Sequence, residues 1–425
     1  MKRASALSLL LVLLASLLRG ETVAITGATI HTLAAAGTIR DATLLMTDGR
    51  IVAVGQNIAV PAGARRIDGR GKIVTPGLFN SITRIGITEV SAVSGTQDLA
   101  VSSDRITAAF DVADAINPDS TVIPVTRLDG VTRVVVAPNA GGSLIAGQGA
   151  VIHLGGGDAL VLRGKVAMFA FLGERGAELS GGSRGAAILR LREALEDARD
   201  FAANRRAFES GNRREYAFSR LDLEALVPVV NGEQSLVVTA HRASDILASL
   251  RLARELRLRL ILAGAAEGWK VARSIAEAGV AVIINPMDNL PESFERLGAS
   301  LENAARLHAA GVTIALMTGD AHNARNIRQG AGNAVAYGLP WDAALAAVTS
   351  VPAKLWNLAE RYGALQPGMD ADVVVWSGDP FELTTHAEAV FIRGVAVPMR
   401  SRQTDLRDRY SDVSSDLPPA YRKGP

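Results

Sequence analysis

A few side chains in this 425-residue sequence are of types and spacings that could do chemistry. Asp320 closes the apolar run "VTIALMTGD", and His322 follows it in "TGDAHNARNIRQG". His241 ends "SLVVTAH", and Arg84 lies in "TPGLFNSITRIG" (Thr75–Gly86). A carboxylate beside an imidazole can relay protons, so Asp320 with His241 or His322 is a candidate acid/base pair. Arg84 is permanently cationic. It would repel a metal ion, but it could pair with a carboxylate or steady an oxyanion.

Other chemistries are excluded or unsupported. The chain has no Cys, which removes thiol nucleophiles, thiolate metal sites and disulfides. Ser81 and Ser183 have no visible base partner, and no Gly-x-Ser-x-Gly elbow occurs. His153 follows a strand-like "AVIHL" and is a further candidate ligand. His31 and His386 fall in β-rich segments and His308 on a helical pattern, and these three read as structural.

These residues need elements to position them. Short runs rich in Val, Ile and Leu recur at 132–138, 235–241, 259–264, 280–286 and 312–320, as in buried parallel strands. Helical patterns alternate with them at 184–206, 243–256, 267–278 and 301–310. That alternation predicts βα units around a parallel sheet. Both chain ends are β-rich. "ATLLMTDGRIVAVG" carries a hairpin signal at Asp48-Gly49, and "ADVVVWSGDP" and "AVFIRGVAVP" follow late in the chain. The economical arrangement is one small sheet domain made from both ends, with the βα region inserted. The Gly-rich stretch Gly141–Gly157 lacks a phosphate-loop ending and reads as backbone turns around a cavity.

Composition limits the partners. The chain is 48% hydrophobic and 21% charged with a net charge of +2, which is globular. No basic block with interleaved aromatics is present, which argues against nucleic acid. Lys2 and Arg3 precede "ALSLLLVLLASLL", a run of signal-peptide length that is short for a membrane span. Export, as to a periplasm, is expected. Membrane contact would come only through an uncleaved leader.

The residues "GKIVTPGLFNS", the late "TGD", and "YGALQPGMDADVVVWSGDP" followed by "FIRG" together resemble the amidohydrolase superfamily, in its imidazolonepropionase-like branch. Gly363, Leu365, Pro367, Gly368, Asp370, Ala371 and Asp372 match that family's Gly-x-Leu-x-Pro-Gly-x-x-Ala-Asp pattern. "SVPAKLWNL" is similar to its Thr-x-Asn-Pro-Ala-Lys segment, with Val351 at the Asn. The resemblance implies a (β/α)8 TIM barrel with a small β-sandwich domain built from both chain ends. The boundaries are then a leader at 1–20, sandwich at 21–75 and 363–400, barrel at 76–362, and a polar tail at 401–425.

The resemblance also implies a metal-dependent hydrolase acting on carbon–nitrogen bonds of a small amide or cyclic amide. Its ligands would be His-x-His after the first barrel strand, a Lys or Glu after the fourth, His after the fifth and sixth, and Asp after the eighth. Here Ile82 and Arg84 stand at the first pair, behind Asn80. Thr239 stands at the fifth, with His241 two residues on, and Gly264 at the sixth; Asp320 survives at the eighth. Lys165 and Glu174 are alternatives for the fourth. Asp320, His241 and His322 would make an incomplete zinc site. Arg84 is expected to fill the vacated cation position and pair with Asp320. The alternative is a non-catalytic barrel that binds a small molecule or a partner, as a homo-oligomer or beside a related amidohydrolase.

Overall fold

The computed structural model describes residues 21–212 and 214–411. The expected leader, 1–20, lies outside the described residues. The chain divides into two compact units, each with its own packing. One contains the described residues up to Gly77, Leu358–Pro380 and Thr384–Met399. The other contains Leu78–Asn357, Phe381–Leu383 and the described residues from Arg400.

The larger unit is of α/β type. Its strands are β1 (Leu78–Thr83), β2 (Val131–Val136), β3 (Ile145–Gln148), β4 (Ala150–His153), β5 (Val161–Arg163), β6 (Ala167–Phe171), β7 (Ser235–Ala240), β8 (Leu260–Gly264), β9 (Ala281–Ile284) and β10 (Ile314–Leu316). They form two sheets, β5–β4–β2–β1 and β10–β9–β8–β7–β6–β3. β6 to β10 are mutually parallel, as is β1 with β2. β1, β2, β8, β9 and β10 are buried along their whole length. That is why the sequence shows continuous apolar runs there rather than alternation. The helices Arg184–Glu209 and Ala243–Leu256 turn Leu191, Leu195, Phe201, Ile246 and Leu252 inward.

This is a TIM-barrel-type arrangement with one departure from a regular (β/α)8 ring. β3 runs antiparallel to β6, and β4 antiparallel to β2. No ladder closes the two sheets into a ring among the described residues. Two backbone hydrogen bonds, Gly319 N–H to the Ile82 carbonyl (3.0 Å) and Arg84 N–H to the Asp320 carbonyl (3.3 Å), link the chain after β10 to that after β1.

The Gly-rich stretch therefore makes strands, not the turns expected from its composition. Its glycines admit close neighbours. A Cβ at Gly149 would lie 2.6 Å from Phe169 Cε2, and one at Gly147 2.5 Å from the Phe110 carbonyl oxygen.

The smaller unit has one hydrogen-bonded sheet of eight strands, which does not confirm the expected β-sandwich. Ile73–Pro76 pairs antiparallel with Val373–Trp376, so both chain ends share one ladder. Asp48-Gly49 turns the hairpin between Thr38–Thr47 and Arg50–Gly55 with φ of 53° and 76°, the pair of left-handed residues that suits strand twist. Leu44, Val74, Leu365, Val373 and Phe391 are fully buried in its core. Part of the expected polar tail, Arg402–Ser411, is helical with no buried residue; the chain beyond it lies outside the described residues.

Leu262 is fully buried in β8, between β7 and β9. Leu262→Ala is expected to cost about 2–5 kcal/mol of stability, read from urea denaturation.

Candidate active site

The C-terminal ends of the parallel strands surround a cavity of about 270 Å³. Side chains reach it from successive elements. Ile82 and Arg84 come from the end of β1, Phe169 and Phe171 from β6, and Thr239 and His241 from the end of β7. Asn285, Asp288 and Arg296 come from the segment after β9. A larger groove of about 790 Å³ is lined by helices Ala243–Leu256 and Ala272–Glu277 and by Leu258 and Val280, at the N-terminal ends of β8 and β9.

The four positions that the resemblance assigned to metal ligands on the first, fifth and sixth strands all line this one cavity: Ile82, Arg84, Thr239 and Gly264. None offers an imidazole. The imidazole of His241 fills the space beside Gly264 instead. A Cβ at 264 would stand 2.4 Å from His241 Cε1, and Gly264 has φ +80°. Only glycine suits that backbone and that contact.

His241 is 6% exposed. Its Nε2 meets Arg296 Nη2 at 3.1 Å. A guanidinium can only donate, so Nε2 is the acceptor. Burial, seconded by the Arg296 charge, pushes His241 down to about 3, so the ring is neutral near neutral pH. The proton then sits on Nδ1, which has no hydrogen-bond partner among the described residues.

Arg84 does not form the expected ion pair with Asp320. Its Nη1 donates to the Ala137 carbonyl at 2.7 Å and the Thr83 carbonyl at 3.2 Å. The Asp320 carboxylate accepts from Asn323 N–H (2.8 Å) and Asn323 Nδ2 (2.9 Å), a local turn that satisfies it. The Asp320 carboxylate acts on the Arg84 guanidinium only through space. Burial pushes Arg84 down to about 10, and the Asp320 charge opposes that shift; the group remains a cation at neutral pH.

Sequence reasoning missed Arg296, Asp288 and Asn285. They follow "VAVIINP", and the end of a barrel strand is where functional residues gather. Asp288 accepts from Asn285 Nδ2 at 2.8 Å and faces Arg296 Nη1 at 3.7 Å. Burial raises its pKa above the usual carboxylate range, Arg296 opposes, and Glu292 adds to the rise. The segment carrying Arg296 is pinned on both sides. Glu174 N–H donates to Glu295 Oε2 (2.6 Å) and Glu295 N–H returns a bond to Glu174 Oε1 (3.1 Å). Arg184 lies 3.5 Å from Glu174 and 3.6 Å from Glu295. Gly298 N–H donates to Glu267, and its carbonyl accepts from Trp269 Nε1 at 2.8 Å.

The other candidates fall outside the cavity lining. His322 is exposed. Lys165 precedes β6, at the wrong end of the strand, and its carbonyl accepts from Gln234. Glu174 follows β6 but is committed to the pinning contacts just described. His153 has both ring nitrogens engaged, with the Gly155 N–H and the Ala159 carbonyl. Asn80 ties β1 to Thr318 and Ala324.

Comparison with known proteins bears on this geometry. The amidohydrolase family profile matches residues 245–400. The amidohydrolase from Thermotoga maritima MSB8 superposes with a TM-score of 0.80 at 27% identity, covering 89% of this chain and all of that one. Over most of its length the chain is thus similar to an amidohydrolase. Amidohydrolase tasK of Hapsidospora irregularis is 25% identical over 377 residues, and this chain spans 37% of its length. The molinate hydrolase structure, with a TM-score of 0.53 at 20% identity, shares the fold. Amidohydrolases are generally metal-dependent. A structural dication site wants about four convergent donors, and a catalytic one about three plus water. Among the described residues of this chain, no three His, Asp or Glu side chains gather to hold an ion.

Two outcomes follow. Gly264→Ala is expected to destabilise by about 1–3 kcal/mol from overpacking alone, with backbone strain adding to it, as read from urea denaturation. His241 titrates from 6.5 unfolded to about 3 folded. The unfolded chain therefore binds the extra proton, and the stability due to neutral His241 is present above pH 6.5 and is lost as pH falls toward 3. His241→Asn should remove that part of the slope in a pH series of denaturation curves.

Proposed function

We propose that this protein takes a small amide or cyclic amide into the cavity and cleaves its carbon–nitrogen bond without a dication. The imidazolonepropionase-like branch remains the reading drawn from the C-terminal motif. One observation carries the proposal: two guanidinium groups, Arg84 and Arg296, line the cavity where the superfamily gathers metal ligands. A dication among them would be repelled, and His241 with Asp288 is too small a donor set to hold one.

The residues present can supply the parts of an amide hydrolysis. Asp288, with its raised proton affinity, accepts a proton from water as that water attacks the carbonyl carbon. Arg296, held by His241 and the Glu174–Glu295 contacts, steadies the negative charge that develops on the carbonyl oxygen. The proton returns from Asp288 to the departing nitrogen. Phe169, Phe171, Ile82 and Met317 give the cavity apolar walls that exclude water. Asp320, outside the lining and satisfied by Asn323, has no step in this scheme. A second reading, binding without turnover, is favoured by that withdrawal of Asp320 from the cavity. Export on the Lys2–Arg3 leader completes the proposal.

The test is turnover of amides, lactams and dipeptides by chelator-treated protein, with elemental analysis. Activity should survive chelation and fall about 100- to 10,000-fold in Asp288→Asn while Asp320→Asn stays within a few-fold. Stoichiometric zinc with activity abolished by chelation would overturn the proposal. Ligand binding with no turnover on any substrate would favour the second reading.

A further inference from the structure

We propose that the ligand of this cavity carries a carboxylate and that the Nε–Nη2 edge of Arg84 receives it. The inference rests on the reading that this cavity is the binding site, and it names the chemical class that fits.

Arg84 leaves one edge of its guanidinium unused. Its Nη1 is spent on two backbone carbonyls, those of Thr83 and Ala137. Those bonds fix the guanidinium plane. The Nε and Nη2 groups make no hydrogen bond, and no acidic side chain lies within ion-pair distance, among the described residues. The acid that the cation feels through space, Asp320, has both carboxylate oxygens bonded to Asn323. A partly buried cation therefore lines the cavity without a counter-ion in contact.

The other charged and polar side chains of the cavity do not meet that edge. Asp288, the one acid among the lining residues, is already engaged with Asn285 and Arg296. The His241 ring is neutral: its Nε2 accepts from Arg296, and its partnerless Nδ1 is sealed against Gly264 rather than open to the cavity. The acceptor for the Arg84 edge must come with the ligand.

Shape selects among anions. The paired N–H groups of a guanidinium edge match a planar carboxylate through two parallel bonds. The walls from Phe169, Phe171, Ile82 and Met317 suit an organic body rather than a bare inorganic ion.

The experiment uses the full chain and small probes of matched shape. Benzoate is compared with benzamide, and propionate with propionamide, by calorimetry and thermal shift, with inorganic phosphate as the control anion. Each carboxylate should bind about tenfold or more tightly than its amide, one such factor being a difference of about 1.4 kcal/mol. Arg84→Met should erase the preference, Arg84→Lys should reduce it by weakening bidentate contact, and Asp320→Asn should preserve it. Equal binding of acid and amide, absence of any carboxylate binding, a preference that persists in Arg84→Met or is undiminished in Arg84→Lys, or phosphate outcompeting benzoate would each overturn the proposal. Should Arg84→Met fail to fold, the Arg84→Lys comparison decides. Turnover is a separate readout. Carboxylate selectivity without hydrolysis would sink only the hydrolase reading, and hydrolysis of neutral amides without selectivity only this one.

Discussion

The bond from Arg296 Nη2 to His241 Nε2 organises the cavity. It joins the segment after β9 to the end of β7, across the mouth of the parallel strands. It fixes the tautomer of His241, and the Arg296 charge adds to the burial that keeps the ring neutral. With the ring so placed, Gly264 can be nothing larger, and β8 passes close beneath it. The reciprocal Glu174–Glu295 contacts and the Gly298 contacts to Glu267 and Trp269 hold the donor side of the bond. The arrangement is preorganised by several weak ties rather than by a central ion.

Charge in the cavity follows from that geometry. An ordinary amidohydrolase centre collects carboxylates and imidazoles so that a dication can sit among them. Here the lining holds two guanidinium groups, one neutral imidazole and one carboxylate. Burial weakens the charged form of both Arg84 and Asp288, each in its own direction. Opposite charges brought in by a ligand would meet a cation already short of solvent, which makes electrostatics stronger there than at the surface.

Much of the fold was legible in the sequence because it rests on period and composition. Val131–Val136, Leu260–Gly264 and Ala281–Ile284 are buried on both faces, so apolar runs announced them. The Asp48-Gly49 hairpin was legible because its backbone demands such residues. The run from Gly141 to Gly157 misled because glycine serves both turns and tight strand contacts, and the neighbours that decide between these, Phe169 and Phe110, are distant in sequence or on another segment. The site was half legible. Arg84, His241 and Gly264 stood at positions a motif could mark. Arg296 and Asp288 did not, because a loop's inward side chains are set by contacts such as Glu174–Glu295, more than a hundred residues apart. The expected Arg84–Asp320 pair failed for a local reason: each group had a nearer partner, in backbone carbonyls and in Asn323.

The close approach of the His241 ring to Gly264 also couples neighbouring strands. Any side chain at 264 would first have to move His241, and moving that ring breaks the tie to Arg296. A histidine at 239 alone would add its bulk to a cavity already walled by two cations. Residues 241, 264 and 296 can therefore change only together, so the packing at one glycine makes three positions behave as a single unit.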